Sequence, residues 1–119
     1  MAAKRLPFKK PKPKAQTSYS PYHLSFLETK IDLHIENLVE SHRGLSNYEI
    51  VTIQLQAFQN FLDNAIVHHQ KYLVAIHGVG KGVLREEIHK MLRNHKEVAS
   101  FKHQYHPFYG LGATEIYLK

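Results

Sequence analysis

Between residues 77 and 88 the chain reads HGVGKGVLREEI, a histidine closing an apolar run, then three glycines with a lysine among them, then a helical pattern. A strand, a glycine loop and a helix start in that order aim backbone N–H groups and the positive end of a helix dipole at one spot, which attracts phosphate. Two well-known phosphate motifs do not fit. A dinucleotide fingerprint needs a third glycine three residues after Gly80, where Val83 stands, with Gly82 one residue early. A P-loop needs Ser or Thr after Gly80-Lys81 and a glycine at the position of Ala75. The competing reading is a tight turn with Gly82 as a permissive residue before the helix. Lys81, inside the loop with no apolar pattern around it, is expected to be exposed and to meet a phosphate as a point charge. Arg85 falls in the first helical turn, where a cation opposes the dipole unless a bound anion or a neighbouring acid compensates it.

A second chemical group lies upstream. In IDLHI, residues 31 to 35, Asp32 and His34 are two apart on an extended run and share the face opposite Ile31 and Leu33. If this strand runs parallel to the one ending at His77, then Asp32, His34 and His77 gather at the C-terminal edge of the sheet, where open α/β sheets bind ligands. A carboxylate with one or two imidazoles suits acid–base chemistry near neutral pH or a divalent cation, magnesium or manganese, and both serve phosphodiester cleavage. The structural alternative has the histidines bonding to each other or to backbone beside the glycine turn, with Asp32 orienting one of them or capping a loop.

The elements that must hold these residues are readable from periodicity. LETKIDLHI alternates as a strand with one apolar face, and residues 35 to 45 form a longish polar connection. Ser46 with Glu49 makes a capping box, followed by Ile50, Ile53, Ala57, Phe58, Phe61, Leu62, Ala65 and Ile66 at helical spacing up to His68-His69. YLVAIH is a central strand. A second helix opens near Val83, carries Leu84, Ile88, Met91 and Leu92 on one face, and runs to about His95. VASFKHQY and ATEIYLK are two further strands. The order β-α-β-α-β-β favours parallel strands through the first two crossovers. It gives a two-layer α/β sandwich, a four-stranded mixed sheet with two helices on one face and the other face partly open.

Composition limits the possibilities further. A chain of 119 residues makes one domain with a modest core. Without cysteine, neither disulfides nor thiolate metal sites are available, which suits a cytoplasmic setting. The longest apolar stretch, Tyr72 to Ile76, is far short of a membrane span, so no membrane partner is expected. The net charge of +6 is unevenly placed: residues 1 to 14 hold six basic and no acidic side chains, whereas the remainder holds ten of each. Residues 1 to 22 are therefore expected to be a basic, proline-containing arm or linker, and 23 to 119 the folded domain. Such an arm adds salt-dependent attraction to phosphates, serves solubility, or tethers an upstream domain.

Four motifs in this order resemble the Smr (small MutS-related) domain family. They are IDLHI at 31 to 35, LSNYEI at 45 to 50, HGVGKGVLR at 77 to 85 and YGLGAT at 109 to 114. The resemblance spans about residues 27 to 119 and leaves the arm outside. It implies a fold similar to the C-terminal domain of bacterial translation initiation factor 3. It also implies DNA or RNA binding, and structure-selective or nicking endonuclease activity in some members. On that basis the catalytic candidates are Asp32, His34 and His77, and the phosphate-binding candidates are Gly78, Gly80, Lys81, Gly82, Arg85, Gly110, Gly112 and Thr114. Thr114 offers a hydroxyl to phosphate or packs as a β-branched strand residue. A non-catalytic module recruiting nucleic acid or protein, and a small phosphorylated-ligand site at the same loop, are the alternatives. Two positions depart from the family pattern: Ile35 stands where the first motif has glycine, and Tyr109 replaces the first glycine of the last motif. The remaining histidines read as solvated polar residues, with His103 and His106 near a strand end. Tyr117 is a candidate base-stacking platform on the open sheet face.

Overall fold

The computed structural model describes residues 29 to 119, so the basic arm and residues 27 and 28 of the first expected strand lie outside the described residues. Four strands and two helices follow in the anticipated order: β1 (Lys30–Asp32), α1 (Asn47–Val67), β2 (Tyr72–Ile76), α2 (Val83–Arg93), β3 (Val98–Lys102) and β4 (Ala113–Leu118). The sheet order is β1-β2-β4-β3. β1 pairs parallel with β2, while β4 slots antiparallel between β2 and β3. Both crossovers therefore return the chain in the same direction, and only β4 reverses it.

Each helix forms for a local reason and is held by burial. At the start of α1 the Ser46 hydroxyl accepts from the Glu49 N–H, and the Glu49 carboxylate accepts from the Ser46 N–H, satisfying two orphan donors reciprocally. The helix ends where His69 adopts a left-handed conformation, with φ 57°. Ile53, Phe58, Leu62 and Ala65 are the buried residues of α1. Phe58, Leu62 and Ala65 meet Leu84, Ile88 and Leu92 of α2 over Leu73 and Ala75 of β2 and Ile116 and Leu118 of β4. Burying each leucine, isoleucine or phenylalanine of this set contributes about 1.5–3 kcal/mol, so this interlayer supplies much of the hydrophobic stabilisation.

The period of two along each strand divides the sheet into a helix side and an open side. Val74, Ile76 and Ala113 fall on the open side and form a separate small apolar cluster, against which Tyr109 of the β3–β4 loop packs. Tyr109 thus fills the place of a family glycine with a ring that shields part of the open face. Further along the same face Tyr72 and Tyr117 pack at 5.4 Å between centroids, and both hydroxyls donate to Glu115.

Differences from the sequence reading are local. β1 holds three residues rather than nine, because its pairing with β2 extends past the strand by one bond at each end, Val74 N–H to the Thr29 carbonyl at 2.9 Å and Leu33 N–H to the Ile76 carbonyl at 2.8 Å. The connection after it is not uniformly polar: Ile35–Asn37 form one turn of 3-10 helix, and Val39 is buried in the core. Ile35 sits here without a positive φ, so the glycine of the family pattern is not required by the backbone at this position. α2 ends at Arg93 and β3 at Lys102, each short of its expected limit, and the chain beyond β3 turns into a loop.

Candidate functional site

Residues 77 to 85 bridge the end of β2 and the start of α2, and the backbone there depends on glycine. Gly78 and Gly82 hold φ of 82° and 84°, a region open to glycine at little cost. Their missing side chains matter as much. A Cβ on Gly78 would stand 3.1 Å from Nε2 of His34, and one on Gly82 would stand 2.5 Å from Nη2 of Arg85. The imidazole and the guanidinium therefore lie directly against loop backbone. Gly112 admits a third close approach: a Cβ there would meet the Tyr109 carbonyl at 3.1 Å and Gly78 Cα at 3.4 Å.

Two donors at the head of the loop are already used, since the N–H groups of both His77 and Gly78 donate to the Gly112 carbonyl at 2.9 Å. Further on, α2 begins at Gly82 without a side-chain cap. The first-turn N–H groups of Val83, Leu84 and Arg85 meet no acceptor among the described residues. Lys81 is exposed, as expected. Arg85 reaches Glu86 only at 3.4 Å, so the neighbouring acid compensates it weakly. Loop, helix start, His34 and His77 line one cleft of about 570 Å³. A larger apolar groove of about 650 Å³ lies between the helices, lined by Tyr48, Val51, Leu55, Val83 and Met91, and holds none of the candidate site residues.

Asp32, His34 and His77 reach the same edge of the sheet but not one another as a triad. Asp32 is in register with Ile76 and so belongs to the open side, whereas His77 has the parity of Leu73 and Ala75 and turns into the interlayer. Asp32 Oδ1 accepts from the backbone N–H of His34 at 3.0 Å and from its ring Nδ1 at 2.6 Å. Burial pushes the Asp32 carboxyl up, but the bonds and charge of His34 outweigh it and the net shift is downward. With Nδ1 committed, His34 presents Nε2 at the glycine loop, with no partner among the described residues.

His77 is built differently. Its Nδ1 stands 2.8 Å from the Gly78 carbonyl and its Nε2 stands 2.8 Å from the Thr114 hydroxyl. A carbonyl only accepts, so Nδ1 carries the hydrogen, Nε2 accepts from Thr114, and the Thr114 oxygen in turn accepts from Nε2–H of His89 at 2.8 Å. The chain of donors runs His89, Thr114, His77, Gly78. Burial pushes both imidazoles down, aided by the nearby His103; His89 falls to about 4. Both are therefore neutral at pH 7, which this network needs. Thr114 is 0% exposed, so its hydroxyl ties two histidines together rather than facing solvent. Gly110, in the left-handed region, shapes the β3–β4 loop rather than the cleft.

Of this network, His89 carries no signal in the sequence, and His103 is marked there only by its place near a strand end. The spacing of His89 to His95 suggests no ligand pair, yet His89 lies three residues before Leu92 and four after Arg85, on the flank of the buried stripe. His103 packs at 5.5 Å from both His77 and His89 and bonds the Leu111 carbonyl through Nε2 at 2.7 Å. Tyr117 does not offer a clear platform, since Tyr72 packs beside it and Lys102 Nζ stands 5.5 Å from its centroid. Among the described residues no group of three or more His, Cys, Asp or Glu side chains could hold a metal ion. Asp32 Oδ1 and both nitrogens of His77 are already engaged, so the donor set does not fit a protein-held divalent cation.

Similarity to known proteins agrees with this architecture. Residues 43–119 match the Smr domain, a stretch that begins after Asp32 and His34. The chain is 44% identical over 59 residues to an endonuclease MutS2 of Solidesulfovibrio magneticus and 40% identical over 60 residues to one of Streptococcus uberis. Each match covers 50% of this chain and 8% of the relative. The crystal structure of the Smr domain of Thermus thermophilus MutS2 superposes with a TM-score of 0.57 at 30% identity, covering 76% of this chain and 98% of that one. YdaL, a stand-alone small MutS-related protein from Escherichia coli, shares the fold at 15% identity and TM-score 0.53, over 76% of this chain and 64% of its own. With its order β-α-β-α-β-β, its glycine loop and this matched stretch, the chain belongs to the Smr domain family.

Proposed function

We propose that this Smr domain binds nucleic acid at the glycine loop and nicks a phosphodiester with the Asp32–His34 pair. The observation that carries the reading is the free Nε2 of His34, tethered through Nδ1 to Asp32 and lying against Gly78 at the mouth of the cleft. In this reading a phosphate sits before the uncapped N-terminus of α2, with Lys81 and Arg85 supplying charge. His34 Nε2 takes a proton from the attacking hydroxyl, of water or of a ribose, as its oxygen bonds to phosphorus; the bond from phosphorus to the leaving sugar oxygen breaks, and that oxygen takes up a proton from solvent. Asp32 stabilises the imidazolium that forms, and the loop donors and cations stabilise the charge growing on the phosphoryl oxygens. His77, Thr114 and His89 serve as a brace that holds the Gly78 carbonyl and hence the loop, and Gly112 completes the brace by accepting from Gly78.

No step is routed through magnesium or manganese, since the donor set does not fit one. The basic arm, residues 1 to 22, adds salt-dependent affinity, and a cytoplasmic setting accords with a chain free of cysteine. The match to longer MutS2 proteins is compatible with tethering to an upstream domain. In support, the relatives bear the name endonuclease MutS2, and no helix among the described residues is long and apolar enough to cross a membrane. A second reading, a non-catalytic recruitment module, draws on the single carboxylate beside His34 and the lack of a three-ligand cluster among the described residues.

The test incubates the full chain with single-stranded, branched and duplex DNA and with RNA, with and without magnesium or manganese. Nicking abolished by His34→Ala, with binding retained, supports the enzyme. Binding without nicking supports the module. Lys81→Glu should weaken binding about tenfold and lower the salt slope by about one; affinity lost only on removing residues 1 to 14 would move the binding site to the arm.

A further inference from the structure

The loop between β3 and β4 presents aromatic rings that the fold does not use. Phe108 is 84% exposed and Tyr105 is 74% exposed, although each would ordinarily seek cover. This is not a slack loop. His106 and Gly110 exchange both backbone bonds at 2.8 Å, closing a tight hairpin around Pro107, Phe108 and Tyr109. The Phe108 N–H donates to Nδ1 of His106, the Gly112 N–H donates to the Tyr109 carbonyl, and His103 clamps the Leu111 carbonyl. Beneath the tip, the His106 ring packs on Tyr109 at 4.7 Å and on Phe108 at 5.7 Å, while Tyr109 seats on the Val74, Ile76 and Ala113 cluster. The chain thus commits a set of backbone and ring hydrogen bonds to holding the Phe108 ring in water.

The hairpin is also continuous with the cleft. Gly112, at its base, accepts from Gly78 and would touch Gly78 Cα through a Cβ, and His103 packs against His77. A strand whose phosphate lies on the glycine loop therefore passes this hairpin. We propose that Phe108, with Tyr105 in the same loop, is a stacking tip for an unpaired base of a nucleic acid bound at the glycine loop. This inference rests on the nucleic-acid reading above. A rigid, exposed ring has little ordering entropy left to lose, and every base offers it a π-face, so the tip selects for unpaired nucleotides rather than for sequence. A paired base in a duplex has its faces covered by its neighbours, and the tip gains nothing from it. No acidic residue lies between Lys102 and Ala113, so phosphates can approach without repulsion from the loop.

The experiment titrates the full chain by fluorescence anisotropy with a blunt duplex and with the same duplex carrying a single-stranded overhang, the unpaired positions containing 2-aminopurine. Wild type should prefer the overhang and change the 2-aminopurine emission on binding. Phe108→Ala should lose about fivefold or more of its overhang affinity, the lower end of what one stacked base contributes, with blunt-duplex affinity within about twofold. Phe108→Trp should retain the preference. Because Phe108 is exposed, an unchanged melting temperature in both variants separates stacking from folding. An overhang preference that survives Phe108→Ala, or an equal loss on both substrates, overturns the stacking role and leaves the tip as a surface for a protein partner. Absence of binding by the wild type to either substrate overturns the nucleic-acid reading itself.

Discussion

Asp32 and His34 are joined twice, since one carboxylate oxygen accepts from both the backbone N–H and the ring Nδ1 of the histidine two residues on. The paired contacts fix ring orientation and tautomer together, which leaves Nε2 as the free nitrogen of a preoriented imidazole.

Replacing that carboxylate should separate chemistry from binding. Asp32→Asn removes the charge that stabilises an imidazolium while keeping the size of the side chain. Nicking should fall about a hundredfold, in the range typical of losing general base assistance, with oligonucleotide affinity within about twofold. Single-turnover nicking and anisotropy on the same substrate check this, and parallel loss of both would remove Asp32 from a catalytic role.

Stability should depend on pH through the buried histidines. His77 and His89 are both lowered from 6.5, His89 to about 4, so between those values the unfolded chain binds more protons than the folded one. Unfolding free energy therefore rises with pH across that window and levels off above about 6.5. A loss on the order of 2 kcal/mol is expected on going from about pH 7 to about pH 4.5. Urea midpoints measured across this range should show it, and His89→Gln should flatten the curve. Asp32 acts lower: its stabilisation, present above 3.8, is lost only as the pH falls through its depressed folded value.

Thr114→Val keeps shape and removes the hydroxyl between His77 and His89. Two buried imidazole nitrogens then lack a partner, at a cost of about 2–3 kcal/mol. Thr114→Ser should recover most of it. A valine variant as stable as wild type in urea would show that the bridge contributes nothing.

Gly78→Ala places a methyl group on a left-handed backbone and 3.1 Å from the His34 ring. The backbone strain should cost about 1–2 kcal/mol, and the displaced imidazole should lower nicking more than stability. Comparing melting temperature with single-turnover rate tests the distinction; a loss of rate that merely tracks unfolding would contradict it.

Ser46 and Glu49 announce the start of α1 in the sequence because a capping box is a local interaction, complete within four residues. YLVAI is legible as a central strand by its uniform apolarity, and the sheet buries Leu73, Val74, Ala75 and Ile76 accordingly. The short length of β1 is not legible, since alternation marks a possible strand whereas a partner's length decides how much of it pairs.

The chemistry of the site divides along the same line. Sequence by itself determined the inventory at the sheet edge and its order: an Asp-x-His pair, a glycine loop with Lys81, and a helix start, because each is set by spacing along one element. Tertiary structure alone decided the partners. Strand parity sends His77 into the interlayer while register leaves Asp32 and His34 outside, and α2 brings in His89 from a position that no local pattern marks as a partner of Thr114. Contacts between elements far apart in the chain depend on how layers stack, and that is fixed only when the whole apolar interior closes.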